Sequence, residues 1–346
     1  MSEFLTDLQQ YKGHTILTGD RPTGRLHLGH YIGSLRARVA LQHTNSQFVI
    51  IADQQALTDN ADNPGRVREN VLEVVLDYLA VGIDPSVTTI FLQSGVPQIT
   101  ELFLYYLNLI PYSRLERNPT VKTEIAQKGM GDSVPAGFVC YPAHQVGDIT
   151  AFGATLVPVG RDQLPMIELT NDVVDKFNLT YGRGNEVLTR CQALIPKIGV
   201  LPGLDGNAKM GKTTGNALFL ADSPSEIDKK IKGAKSDPGH LKIEDPGNPE
   251  NSTVFQYLRA FDPDESGLLE LEARYRGGGV SDGAVKERLR TVLHDLLTPI
   301  RKRREGFASD PAEVLRIIKA GTQRAEERAA QTLHRVKAAM GINYFE

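Results

Sequence analysis

Short apolar runs at 15–17, 47–51 and 89–93 alternate with stretches, 29–42 and 64–81, whose apolar residues recur every three to four positions. Runs so short and continuous suit strands buried on both faces, and their alternation with helices predicts a parallel sheet with helices packed on it. Asp62-Asn63-Pro64 predicts a helix start, since Asn63 can cap and Pro64 lacks an N–H that the first turn leaves unpaired. From 98 to about 138 the pattern turns helical and then loop-like, with Asn118-Pro119 and Lys128-Gly129-Met130-Gly131 as breaks, which predicts an insertion. Strand-like residues return at 155–159, and beyond the cap Ser223-Pro224 the segments 252–261, 268–275, 284–307 and 311–340 read as helices. The expected fold is therefore α/β: a Rossmann-like parallel-sheet nucleotide-binding domain over 1–222, with a helical insertion at about 98–138, followed by an all-helical domain over 223–346.

Composition narrows this only slightly. The 346 residues, 40% hydrophobic and 23% charged, suffice for two domains without staples. Cys140 and Cys191 show no metal-ligand spacing and are expected as buried free thiols in a reducing compartment. Residues 1–13 lack a basic start and an apolar core, and no later run approaches a membrane span, so the expected location is the cytoplasm, with no membrane partner. A formal charge of −3 does not advertise DNA or RNA binding, so any RNA contact has to come from local basic patches. One is the set around Arg301-Lys302-Arg303-Arg304, although interspersed acids make most of it read as a solvated face.

Two segments nearly two hundred positions apart carry the chemistry: Thr18 to His30, and the lysine loop Lys209-Met210-Gly211-Lys212-Thr213. The first reads as a strand entering a glycine-rich turn and then a helix, whose N-terminus offers unpaired N–H groups to phosphate oxygens, with Gly29 admitting a flat purine. His27 and His30 can point the same way from that first turn. Gly206 to Thr213 also fits the pattern of a P-loop, which keeps an ATPase or kinase open as an alternative. A P-loop must follow a strand and open a helix, however, and Thr214-Gly215-Asn216 followed by an extended-looking 217–220 does not supply that context. Tyr141, Gln145 and Asp148 are spaced to share one helix stripe, which suits either a pocket lining or an ordinary polar face.

His27-Leu28-Gly29-His30 resembles the first signature of the class I aminoacyl-tRNA synthetases, and Lys209 to Thr213 resembles their lysine loop. With Ala52-Asp53-Gln54-Gln55-Ala56-Leu57-Thr58, Val157 to Gln163 and Ile167 to Thr170, the chain resembles the bacterial tryptophanyl-tRNA synthetases from about Ile16 to its last turn. The resemblance implies an enzyme that joins L-tryptophan to tRNA(Trp), using ATP with Mg²⁺ bound on the phosphates and no protein metal site, as a homodimer. It implies catalytic roles for His27, His30, Lys209, Lys212 and Lys122. ATP would be contacted by Arg21, Pro22, Thr23, Gly29, His30, Gly160, Arg161, Asp162, Leu201 and residues Lys209, Met210, Gly211, Lys212 and Thr213, with Gly160 and Asp162 on the ribose. In that family the aspartate matching Asp148 accepts the indole N–H, while Tyr141 and Gln163 hold the amino and carboxylate ends beside Gln145. The helical domain would meet the anticodon. Tyrosine remains the alternative substrate, because its synthetases share the stripe, although Leu17 stands where they usually place a tyrosine. A relative that kept the fold and lost the chemistry is a further alternative. Arg21, Gln145, Gly211 and Thr213 depart from the family pattern, and Arg21 is expected either to face the ligand or to pair with Asp20 or another acid.

Overall fold

The computed structural model describes residues 8, 10–131, 133–195, 201–207, 210 and 215–345. Strands β1 (Thr15–Asp20), β2 (Ser46–Ile51), β3 (Thr88–Leu92), β4 (Leu156–Pro158) and β5 (Gln192–Leu194) form one parallel sheet in the order β3-β2-β1-β4-β5. β1 pairs with β2 along its whole length, from Thr15 opposite Ser46 to Asp20 opposite Ile51. It therefore runs three residues past the apolar run, because a partner strand continues beside it. β5 escaped the sequence pattern: three residues with only Leu194 buried carry no readable period. The chain builds outward from β1 through β2 to β3, then returns to β4 on the other side of β1. Connections that leave in opposite directions open a crevice at the carboxyl ends of those two strands.

The helix over 28–41 (α1) packs Leu28, Ile32, Leu35, Ala37 and Leu41 inward, with a π-helical stretch at Tyr31–Leu35. α2 (Pro64–Val81) starts as expected, Asn63 accepting from the Arg66 N–H, and ends at Gly82 in a left-handed conformation. Three helices, α3 (Pro97–Leu107), α4 (Tyr112–Glu116) and α5 (Pro119–Lys128), fill the insertion before α6 (Ala136–Ala151). Asn118-Pro119, expected as a break, instead starts a helix: Asn118 Oδ1 accepts from Thr120 N at 3.0 Å, and Pro119 takes the first helical position. The loop-like reading failed because a break and a cap use the same two residues. α7 (Leu164–Tyr181) completes the sheet layer.

The helices beyond 223 follow the expected pattern: α8 (Pro224–Lys232), α9 (Thr253–Phe261), α10 (Glu265–Gly277), α11 (Asp282–Ala308) and α12 (Pro311–Met340). They do not stand apart from the sheet. One apolar core runs from Leu26 and Val49 through Val75 to Leu297 and Ile317. α12 lies on β3, where Thr322 Oγ1 accepts from Leu92 N at 3.1 Å and a Cβ built on Gly321 would stand 1.9 Å from the Ile90 carbonyl oxygen. From α11, Arg304 donates to Asp77 and Glu73 of α2, both at 2.8 Å, and Asp77 also accepts the Leu26 N–H at 2.7 Å. Burial raises the Asp77 carboxyl, against the Leu26 N–H and Arg304, which favour its charged form. Removing Arg304 would strand that buried charge.

Both cysteines are free; Cys191 is buried, whereas Cys140, expected to be buried, is only half so. Among the described residues no helix is long and apolar enough to cross a membrane.

Two glycines give a matched stability test. Gly321→Val must push α12 off the β3 backbone and should cost about 1–3 kcal/mol or more, read as a lower Tm. Gly306→Ala, inside α11 with open space at its Cβ position, should be neutral or stabilising by up to about 1 kcal/mol.

Candidate active site

A cavity of about 420 Å³ occupies the crevice at the carboxyl ends of β1 and β4. Of the residues singled out in the sequence, Arg21, Thr23, His30, Tyr141, Gln145, Asp148 and Gln163 line it. The α6 stripe thus faces a pocket rather than solvent. Pro22, His27, Gly29, Lys122, Gly160, Arg161, Asp162, Leu201 and Met210 do not line the cavity itself. Lys209, Gly211, Lys212 and Thr213 lie outside the described residues.

One end of the cavity is built on α6. Asp148 is almost fully buried; its Oδ1 accepts from Gln93 Nε2 at 2.8 Å, and that nitrogen also lies 3.3 Å from His144 Nδ1. Burial raises the Asp148 carboxyl and Asp53 adds to this, while His144 and the Gln93 hydrogen bond oppose it. Gln93 is itself fixed, its Oε1 accepting the Gln55 N–H at 3.1 Å. The Tyr141 hydroxyl and Glu124 Oε2 are buried, with no hydrogen-bond partner among the described residues beyond the contact between these two side chains. Burial, and then the charge of Glu124, keep the Tyr141 phenol protonated far above its ordinary range, with Arg21 opposing. Leu17, Ile50, Ile149 and Val157 supply apolar walls.

At the other end lies the first turn of α1. His27 caps it, Nδ1 accepting from Gly29 N at 3.1 Å, while His30 Nδ1 accepts from His27 N at 3.1 Å; the two rings sit 3.9 Å apart. A Cβ on Gly29 would come within 2.8 Å of the His27 ring and 3.8 Å of the Met210 sulfur. Here the bare Gly29 surface receives the His27 ring, and the lysine loop reaches it through Met210. The chain after that loop pairs antiparallel with the signature, Leu28 N donating to Leu218 O at 2.9 Å and Leu220 N to Leu26 O at 3.0 Å.

Asp20, at the end of β1, lines the cavity and takes Arg38 at 2.8 Å and the Tyr78 hydroxyl at 2.8 Å. Burial pushes its carboxyl up, but Arg38, His30 and Tyr78 together outweigh this and hold it down at about 2. Arg21 accordingly pairs with a different acid, Asp59, at 3.4 Å, while still facing the cavity. Asp59 also accepts from Lys128.

The remaining candidates sit on the rim or beneath it. Gly160, Arg161 and Asp162 form an exposed turn in which the Asp162 carboxylate accepts from Gln163 Nε2 at 2.8 Å and folds over Gly160. Lys122 is exposed on α5, and Leu201 is buried in the core. Among the described residues the P-loop context is absent: 201–207 hold no strand, Gly206 turns with φ +85°, and 215–217 are not helical before the bridge to the signature. Among the described residues no three His, Cys, Asp or Glu side chains converge to hold a metal.

No site role was expected for Gln93 or Glu124, nor for Asp20 and Gln55, although these two lie inside the motif segments quoted from the sequence. Asp20, Gln55 and Gln93 sit at or just beyond strand ends, a position that marks ligand sites in open sheets. Glu124 was hidden by the loop-like reading of α5; as a helix, that segment turns Val121 and Glu124 inward together, three residues apart.

Residues 10–298 match the family model of the class I tRNA synthetases (W and Y). The chain is 54% identical over 334 residues to the Tryptophan--tRNA ligase of Clostridium longisporum, an alignment covering 95% of this chain and 97% of that protein. It is 52% identical over 337 residues to that of Streptococcus pyogenes, covering 95% and 98%. Among solved structures it is similar to tryptophanyl-tRNA synthetase from Campylobacter jejuni complexed with ADP and tryptophan, with a TM-score of 0.82, 30% identity, and 94% of this chain and 99% of that chain covered.

The Asp20 network makes a pH prediction. Its folded value, about 2, lies below the ordinary 3.8, so its contribution is complete above 3.8 and is lost as pH falls through 2. Urea unfolding of wild type and Asp20→Asn should give a stability difference that narrows by up to about 2 kcal/mol from pH 5 to pH 2.

Proposed function

The chain belongs to the class I tRNA synthetases for tryptophan and tyrosine, and we propose that it is a tryptophan–tRNA ligase that uses ATP to join L-tryptophan to tRNA(Trp). The observation that carries this reading is the Asp148 carboxylate, buried and fixed by Gln93 in a pocket whose walls also include Leu17, Ile50, Ile149 and Val157. Such a group rewards a ligand that brings one N–H donor on an apolar ring, and an amino acid lacking that donor leaves the carboxylate unpaired. Leu17 in the cavity wall offers no hydrogen bond to a phenol, which supports tryptophan over tyrosine.

In the first step the tryptophan carboxylate oxygen bonds to the α-phosphorus, the bridge to the β-phosphorus breaks, and pyrophosphate leaves. In the second, the terminal ribose hydroxyl of the tRNA attacks the carbonyl carbon and AMP leaves. The protein's contribution is position and charge. Tyr141, Gln145 and Gln163 orient the amino acid beside Asp148, and His27, Gly29 and His30 form the floor for adenosine and phosphate. Pro22 and Thr23 border that floor, and Arg21 faces it as an extra cation. Gly160, Arg161 and Asp162 form a turn able to meet the ribose. Lys209 and Lys212, with Lys122 from α5, balance the charge of the leaving pyrophosphate, while Met210, Gly211, Thr213 and the buried Leu201 shape the loop. Mg²⁺ adds charge balance when carried on the phosphate oxygens, which requires no protein ligand cluster. The helical region from 223 onward is the anticodon-facing part, its last helix anchored on the sheet, and the working unit is a homodimer in the cytoplasm.

The test is amino-acid-dependent pyrophosphate exchange: tryptophan should support it, tyrosine should not, and complete turnover should yield AMP rather than ADP. Asp148→Ala should raise the tryptophan KM about 10–100-fold with little change for ATP. Because burial raises the Asp148 carboxyl, the acid loss of tryptophan affinity in the wild type should begin above the ordinary aspartate value of 3.8.

A further inference from the structure

Among the described residues, four charged side chains other than histidine line the cavity: Asp20, Arg21, Glu124 and Asp148. Three have partners, since Asp20 binds Arg38 and Tyr78, Arg21 binds Asp59, and Asp148 binds Gln93. Glu124 differs. Its Oε2 is buried, and among the described residues its one polar partner is the neighbouring Tyr141 hydroxyl, which likewise has no other. A phenol that donates to a carboxylate still leaves lone pairs on both sets of oxygens unsatisfied, which is costly where the atoms are buried.

The ligand chemistry that satisfies both is a small cation with several N–H donors. A primary ammonium fits: one proton goes to the Glu124 carboxylate and another to a lone pair of the Tyr141 oxygen. An anion or a carbonyl would leave Glu124 repelled or unpaired. We propose that Glu124 is a specificity-determining residue that receives the α-ammonium group of the amino-acid substrate, so that the pocket reads that end by charge and not by the tyrosine hydroxyl alone. This rests on the ligase reading, and goes beyond it in assigning a role to a side chain on the insertion helix α5. Arg21, which also lines the cavity, remains with Asp59.

Two analogues of tryptophan separate the ends. Tryptamine keeps the ammonium and lacks the carboxylate; indole-3-propionate keeps the carboxylate and lacks the ammonium. Inhibition of tryptophan-dependent pyrophosphate exchange is measured for both, with wild type and with Glu124→Gln, which keeps shape and removes charge. The wild type should favour tryptamine, and the variant should lose that preference by about 10–100-fold, with tryptophan KM rising similarly and ATP KM holding within about threefold. An unchanged ratio of the two inhibition constants overturns the proposal. So does a wild type that binds indole-3-propionate as well as tryptamine, a readout that stands even where the variant folds poorly. Failure of the ligase reading looks different: the wild type would then show no tryptophan-dependent exchange at all.

Discussion

A pair of backbone hydrogen bonds holds the site together: Leu28 N to Leu218 O and Leu220 N to Leu26 O. They tie the chain leaving the lysine loop to the chain entering the first histidine turn, so two segments far apart in sequence share one end of a cavity. Apolar packing reinforces the tie, because Leu26, Leu28, Met210, Leu218 and Leu220 are buried in the same core. Asp77 secures it from below by accepting the Leu26 N–H, and Arg304 holds Asp77 from the helical region. The active-site turn is therefore registered against the sheet layer and the helical layer together.

Buried polar groups at the strand ends divide into two kinds. Some are completed internally: Asp20 by Arg38 and Tyr78, Asp148 Oδ1 by Gln93, and Gln93 in turn by the Gln55 N–H. These fix geometry before any ligand arrives, as catalysis by positioning requires. Others, the Tyr141 hydroxyl and Glu124 Oε2, have only each other among the described residues, and on the proposed reading the ligand completes them. Pre-organised walls beside incomplete acceptors give a pocket that gains most from a molecule matching both, which is how discrimination among amino acids arises.

Much of this was legible in the sequence because it is periodic or local. The β1 to β4 runs, the Asn63-Pro64 and Ser223-Pro224 helix starts, and the α6 stripe all appear in the structure where spacing and capping chemistry placed them. What the sequence hid depends on tertiary partners. β5 exists only because β4 lies beside it, α12 returns to the sheet because Gly321 lets two backbones touch, and the Asn118-Pro119 pair serves as a cap once Val121 of α5 has Phe138 and Met166 to pack on. Gln93 and Glu124 were overlooked for the same reason. Neither sits in a motif, and their meaning comes from what lies across the cavity.

In the proposed function the early histidines and the lysine loop act on one bound nucleotide. Pyrophosphate exchange measured in a double-mutant cycle of His30→Ala and Lys212→Ala tests it most directly, because groups that serve one transition state lose rate non-additively. The double variant should lose markedly less rate than the product of the two single losses. Losses that multiply, with no coupling between the two positions, would contradict it.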